Sequence, residues 1–446
     1  MPQDQPPRYP TVAIIGTGPA GISALKALVD EKVFFGNPGT WNYDETPQRF
    51  PGTDPAYLNQ LDTNVPADLM AFTHTPFPGG EVGSSSALSV ERYGVDHTMR
   101  PGTVVAQYLL GIVERYRDSI EFNTTVTSME KTESGNGKWR LTLRRPETKP
   151  QSQDQDGELQ GEGGDLWWQE EFDAVVVVAT GQYNVPYLPK IPGLDNAVKT
   201  HPDALEHVNA FRSPENYTGK KVVVLGGGFS ASDVVGDIYK LVWRLPNVQV
   251  KPTISQIRNT GSKLSLTFSD GSQVDNIDKV IFGTGYRFSF PFFASEPILS
   301  ANRVPGIYQH VFKIGDPSVA VLGLVRAPLL FRMLEYEAVA VARYYAGHGR
   351  ELPPQSNQKL WETEQMPIKG DSYKFHDVTG EMREQIEFLR DLAGPPADGT
   401  DGYELPPAAD EWLEKSFSVF RLKDEYWGRP EQEQEQEQEQ EQESPL

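Results

Sequence analysis

Two stretches share one design: VAIIGTGPAG at residues 12–21 and VVVLGGGFSA at residues 222–231. Each is an aliphatic run that ends in a Gly-x-Gly-x-x-Gly/Ala turn and opens a helix. Gly16 and Gly226 permit the tight turn. Gly18 and Gly228 let the backbone approach a diphosphate with no Cβ in the way. Gly21 and Ala231 keep the helix close to the strand. The helix start then offers free N–H groups and a positive dipole end, which in the first motif places Pro19, Ala20 and Gly21, and in the second Phe229, Ser230 and Ala231, beside the phosphates. A lone motif of this kind is weak evidence. Two in one chain, each between a strand and a helix, imply two dinucleotides. A flavin and a nicotinamide form the natural pair, because hydride passes between them. Alanine at the third position of the second motif suits NADP as well as NAD. Arg244 is a candidate for a 2′-phosphate and equally an ordinary surface arginine.

Around these anchors strand and helix signals interleave. Phe172–Ala179 is an apolar strand run ending in Thr180-Gly181, and Lys279–Phe282 is another, ending in Gly283. The small residues of VVVVATGQY (175–183) and VIFGTGY (280–286) suit two chain crossings close to a bound dinucleotide. The alternation indicates an α/β architecture with parallel sheets. Residues 146–171 are polar and acidic and are expected to be a loop inserted between strands. Residues 1–10 are Pro- and Gln-rich and are expected to be peripheral.

The 446 residues include no cysteine, which excludes disulfides, thiolate nucleophiles and Cys-bound metals; no metal site is expected. The net charge of −21 argues against a nucleic-acid partner. Seven glutamates of that charge sit in the Glu/Gln repeat from Glu431 to Glu443, a tail expected to be disordered, and the body stays acidic without it. No basic, apolar leader opens the chain and no aliphatic run reaches membrane length, so a cytoplasmic protein is expected.

At the level of several motifs together, the chain resembles the flavin-containing monooxygenases, most closely fungal members of the dimethylaniline and thiol-specific type. Besides the two glycine motifs, the likeness rests on GTWNYDETP (39–47), YLNQLDTNVPADLMAF (57–72), TMRPGTVVAQYL (98–109), ATGQYNVPYLPKIPGL (179–194), HVNAFRSPENYTGKK (207–221), VIFGTGY (280–286) and DPSVAVLGL (316–324). It implies two Rossmann-like dinucleotide-binding domains, the NADP domain (185–287) inserted into an FAD domain (10–184 and 288–427), with 428–446 as the tail. It implies FAD in the first site and NADPH in the second, with O2 and a small-molecule substrate as partners. NADPH reduces the flavin, a C4a-hydroperoxide forms, and a soft nitrogen or sulfur nucleophile takes the distal oxygen. Asn64 matches the family's asparagine beside the flavin and is the candidate catalytic residue, with Thr63 next to it; its plainer reading is a turn former. Trp41 and Asn42 match the segment near the flavin ring. Gly323 matches the returning FAD-domain segment, where a close approach requires glycine. Asp233, in the second motif's helix, is read as favouring the helix dipole. His207 and Phe211 match the end of a signature whose first half is absent, so His207 is read as a structural linker. Phe331, Tyr336 and Trp361 line a pocket or, on the plainer reading, fill the core.

The pattern breaks at equivalent places in both halves. A βαβ unit takes roughly 30 or more residues. After the first helix only Val33-Phe34-Phe35 is left for a second strand, with no acid at its end for the adenosine ribose; Asp44 and Glu45 belong to the segment beyond. The second fold runs from its helix into Leu241-Val242-Trp243-Arg244 without a separate strand. Weakened cofactor affinity is therefore expected, with diphosphate contacts retained. A nucleotide-binding descendant without catalysis, and a Baeyer–Villiger or N-hydroxylating relative, are the alternatives.

Overall fold

The computed structural model describes residues 7–32, 67–77, 102–132, 137–146, 164–178, 185–241, 249, 251–293 and 302–417. The elements that organise it, in chain order, are β1 (Val12–Ile15), α1 (Pro19–Asp30), β2 (Ala174–Val178), β3 (Val222–Leu225), α2 (Phe229–Leu241), β4 (Lys279–Phe282), β5 (Val319–Leu322), α3 (Leu330–Ala346), α4 (Gln355–Lys369) and α5 (Met382–Ala393). The described residues within Met1–Glu45, Asp62–Gln182 and Phe288–Leu446 form one unit, and those within Tyr183–Arg287 form another.

In the first unit β1, β2 and β5 lie side by side and parallel, and Phe312–Lys313 and Ile307–Tyr308 extend the sheet antiparallel beyond β5. The three parallel strands are apolar throughout because both faces of the sheet are covered. Val12, Ile14, Ala174, Val176, Ala320 and Leu322 turn to a core shared with α1, α3 and α5. Ala13, Ile15, Val175, Val177, Val319 and Val321 turn to the opposite core, which holds Trp139, Leu141 and Leu143 of an antiparallel three-stranded sheet. That sheet is Thr125–Lys131, Trp139–Pro146 and Asp165–Phe172.

The third of these strands corrects the expected loop over 146–171. Pro146 pairs with Asp165 and Trp139 with Phe172, so the acidic segment ends as an eight-residue strand; 147–163 lie outside the described residues. The polarity that suggested a loop belongs to a strand whose outward face, Asp165 to Glu171, is largely exposed. The expected periphery is corrected too. Tyr9 donates its amide to the Tyr345 carbonyl at 3.1 Å and sets its ring edge-on to Tyr345, while Arg8 pairs with Glu351.

α3 is buried on nearly every side, from Phe331 to Tyr345. Phe331 and Tyr336 are core residues: Phe331 stacks on Phe72, and the Tyr336 hydroxyl donates to the Pro406 carbonyl. Among the described residues no helix is long and apolar enough to cross a membrane.

In the second unit β4 is the central strand of a parallel trio, between β3 and Leu205–His207. Val280 and Phe282 face an antiparallel meander (Ile254–Thr260, Lys263–Phe268, Gln273–Ile277), and Ile281 faces Val208, Phe211, Tyr217 and Val234 of α2. Among the described residues β1 and β3 each have one sheet neighbour. In an open nucleotide-binding sheet the strand after the first helix joins the other edge of the first strand. The residues that follow α1 and α2, 33–66 and 242–248, lie outside the described residues.

Candidate nucleotide-binding sites

The first glycine motif folds as strand, turn and helix. β1 ends at Ile15, and Gly16 has φ +112°, a region that favours glycine. Gly18 is the N-cap of α1, with no side-chain cap, and Pro19 occupies the first turn, where its missing N–H costs nothing. The first helical hydrogen bond runs from the Ile22 amide to the Gly18 carbonyl at 3.0 Å. The amides of Ala20 and Gly21 therefore belong to the set that a helix leaves to outside acceptors. A Cβ placed on Gly18 meets no atom of the described residues within 4 Å, so among them the space beside this backbone is open. Gly323, just past β5, comes up against the same helix start. It has φ +78°, and a Cβ there would lie 3.7 Å from the Ala20 Cβ and 3.2 Å from Leu334 Cδ2. Its amide donates to Glu337 Oε2 at 2.8 Å.

The second motif repeats the arrangement with tighter packing. Gly226 has φ +145°, and a Cβ there would stand 2.2 Å from the Gly283 carbonyl oxygen. Gly283 in turn rests on α2: its own Cβ would stand 2.6 Å from the Ala231 Cβ, and its amide donates to the Leu225 carbonyl at 2.7 Å. This explains why a small residue is needed at Ala231, which is 2% exposed. A Cβ on Gly227 or Gly228 would meet no atom of the described residues within 4 Å, and Phe229 and Ser230 begin α2. Asp233 is the fifth residue of that helix.

His207 acts on the same crossing strand end. Its Nε2–H donates to the Gly285 carbonyl at 3.0 Å, its Nδ1 accepts the Asn209 amide at 3.4 Å, and its ring stands edge-on to Tyr286. Burial lowers its pKa, so the ring is the neutral donor this geometry needs. The Tyr187 amide donates to the same Gly285 carbonyl at 2.9 Å. His207 thus fixes the backbone of the VIFGTGY segment, a structural role.

The structure therefore gathers Gly16, Gly18, Pro19, Ala20, Gly21 and Gly323 at one helix start, and Gly226, Gly228, Phe229, Ser230 and Ala231 at the other. Trp41, Asn42, Thr63, Asn64, Thr180, Gly181 and Arg244 lie outside the described residues. Two participants had no individual assignment from sequence. Gly283 sits inside a motif singled out as a whole. Glu337 is one of four charged residues in a buried helix, and a buried acid signals a polar contact. Both cradles fit a dinucleotide: each presents a glycine backbone at a helix start, where a Cβ on Gly18 or Gly228 would meet no atom of the described residues within 4 Å, and in the first the helix start has no side-chain cap.

Residues 10–245 match the pyridine nucleotide-disulphide oxidoreductase family, and residues 243–394 match the flavin-binding monooxygenase-like family. The flavin-containing monooxygenase FMO GS-OX3 of Arabidopsis thaliana is 30% identical over 75% of this chain and 73% of its own length. The flavin-containing monooxygenase iboF of Amanita muscaria is 26% identical over 86% and 87%. The structure of S-allyl-L-cysteine S-oxygenase from Allium sativum superposes with a TM-score of 0.68 at 23% identity over 93% of both chains, a likeness of fold. With two adjoining family matches, a relative at this identity over most of its length, and the paired cradles in the expected α/β fold, the chain belongs to the flavin-containing monooxygenase family.

Proposed function

We propose that this chain is an NADPH-dependent oxygenase of soft nitrogen or sulfur nucleophiles, with FAD at the β1–α1 turn and NADP at the β3–α2 turn. Members of its family are FAD- and NADPH-dependent enzymes. The observation that carries the reading is the pair of cradles, in which a Cβ on Gly18 or Gly228 would meet no atom of the described residues within 4 Å at a helix start. Gly16 makes the first turn, the amides of Ala20 and Gly21 receive the FAD diphosphate, and Gly323 allows close approach. Gly228, Phe229, Ser230 and Ala231 take the NADP diphosphate, with Gly226 seated on Gly283. Trp41, Thr63, Asn64, Thr180 and Gly181 complete the FAD site in this proposal, with Asn64 holding a neutral amide beside the reacting groups. Bound FAD, reduced by NADPH, supplies the two-electron activation of O2.

The balance is substrate + NADPH + H⁺ + O2 giving oxygenated substrate, NADP⁺ and water. The chain's own part is to bind, orient and keep water from the reacting centre. The long TNVPADLMAF match supports nitrogen or sulfur over carbonyl substrates. We place the NADP domain at 185–287, within the FAD domain, and the protein in the cytoplasm.

A second reading, a nucleotide-binding member without turnover, is favoured by the sequence: only Val33-Phe34-Phe35 follow α1 as a second-strand run, and no separate strand run follows α2. One experiment separates the readings. The absorbance spectrum of the purified chain with added FAD is recorded before and after anaerobic NADPH, then in air with N,N-dimethylaniline, a thioether and a cyclic ketone. Bleaching by NADPH followed by an N-oxide or sulfoxide supports the proposal. An ester from the ketone moves it to the Baeyer–Villiger class. Bound flavin that NADPH does not reduce supports the second reading, and failure to bind FAD sinks the first.

A further inference from the structure

α3 carries four charged residues on a helix buried on almost all sides: Arg332, Glu335, Glu337 and Arg343. Three have evident partners. Arg343 pairs with Glu31, Glu335 accepts the Thr73 amide at 2.6 Å and the Tyr403 hydroxyl at 2.5 Å, and Arg332 lies over the Trp412 ring at 3.9 Å. Glu337 is different. It is 0% exposed, and its Oε2 accepts the Gly323 amide. Its Oε1 has no hydrogen-bond partner, and no cation pairs with it among the described residues.

A carboxylate held by one amide in an apolar interior is far costlier than the neutral acid. Burial pushes the Glu337 carboxyl up to about 8, against the smaller opposing effect of the Gly323 amide. The charged groups on α1 and α5, which pack against α3, are engaged elsewhere, Glu384 apart. On α1, Lys26 pairs with Asp30, and Glu31 meets Arg343 and His348. On α5, Arg383 pairs with Asp410, Arg390 with Glu387, and Asp391 with Arg350, while Glu384 pairs with no cation among the described residues. The positive end of α1 favours ionisation, but a bound diphosphate takes up that field.

The position matters because Gly323 abuts Ala20 at the start of α1. An ionised Glu337 would set a negative charge behind the backbone that receives a dianionic diphosphate. Resting on the FAD site proposed above, we propose that Glu337 is a positioning residue that holds Gly323 as an uncharged acid, so that its ionisation weakens FAD binding. The neutral acid fixes the Gly323 backbone without adding charge.

The test is a titration of the full-length chain with FAD, followed by quenching of flavin fluorescence, from pH 6.5 to 9.5. For the wild type, the Kd is expected to stay level to pH 7.5. Above pH 8 it should rise by up to about tenfold per unit. Glu337→Gln keeps an acceptor for the Gly323 amide and cannot ionise. Its Kd is expected to match wild type within about twofold at pH 7 and to stay flat. A wild-type Kd flat to pH 9.5, or a parallel rise in Glu337→Gln, overturns the inference. A measurement on the wild type alone guards against a variant that does not fold. Difference infrared spectroscopy between pH 7 and 9.5 should show the carbonyl stretch of a buried protonated carboxyl group disappearing, and its absence at pH 7 overturns the inference. A chain that binds no FAD at any pH instead fails the functional proposal, and the infrared result still decides the state of Glu337.

Discussion

Lowering the pH from 6.5 to 5 is expected to destabilise the first unit through a buried pair of histidines. His376 Nε2 accepts the Val304 amide at 3.1 Å, so its proton sits on Nδ1 and is donated to His310 Nδ1, also at 3.1 Å. Both rings are 0–1% exposed and packed edge-on against Phe375, with Trp361 against His310. This geometry uses two neutral imidazoles and offers no acceptor for a further proton. Burial, then the charges of Arg303 and Lys369, pushes His376 down to about 3, and burial with the His376 and Lys369 charges lowers His310.

A histidine depressed on folding contributes stability that is complete above its unfolded pKa of 6.5 and is lost as pH falls below it. Each pH unit in that window costs about 1.4 kcal/mol per proton refused, so His376 alone removes about 2 kcal/mol by pH 5. His310 adds loss of the same sign. The depressed carboxyls of Glu31, Asp316 and Glu351 act chiefly at lower pH, since their ordinary values are 4.5, 3.8 and 4.5. Urea unfolding followed by tryptophan emission measures the effect, because Trp243 is the sole tryptophan within 183–287. His376→Gln keeps an acceptor for the Val304 amide and removes one titration, so it should lose about 2 kcal/mol less than wild type over the same interval. A wild type as stable at pH 5 as at pH 6.5, or an unchanged slope in the variant, refutes the reasoning.

Four further outcomes are expected. Gly18→Ala should shift the thermal melt little, because its Cβ meets no atom of the described residues, and should weaken FAD binding in a fluorescence titration by about tenfold; Gly226→Ala should instead lower the melting temperature, since its Cβ meets the Gly283 carbonyl at 2.2 Å. Arg343→Met strands the buried Glu31 carboxylate and should cost about 3–5 kcal/mol in urea unfolding; an unchanged midpoint would contradict the ion pair. His207→Phe removes the hydrogen bond to Gly285, and calorimetry should show NADP binding weakened roughly fivefold while FAD binding is kept.

The two glycine motifs were legible because a strand, a turn with φ above zero and a helix start are local events. Gly16, Gly18 and Gly226 took the places their spacing required. The strand Asp165–Phe172 was not legible. Its sequence, DLWWQEEF, shows no clean apolar–polar alternation, with Leu166 and Trp167 exposed, and its pairing with Trp139–Pro146 crosses a long acidic segment. His207 read as a linker from a half-present signature, and the structure gives that role a partner, the Gly285 carbonyl.

The sequence by itself determined the α/β class, the family and the two nucleotide cradles. Spacing along the chain sets local backbone geometry, and several motifs in order are specific. Only the tertiary structure decided what stands behind those cradles. Gly283 lies 52 residues beyond Ala231, yet an added Cβ on one would collide with the other. Glu337 meets the Gly323 amide across the boundary between a helix and a sheet. Contacts of this kind arise when elements pack, and burial, which changes the charge an acid or a histidine carries, exists only after they have packed.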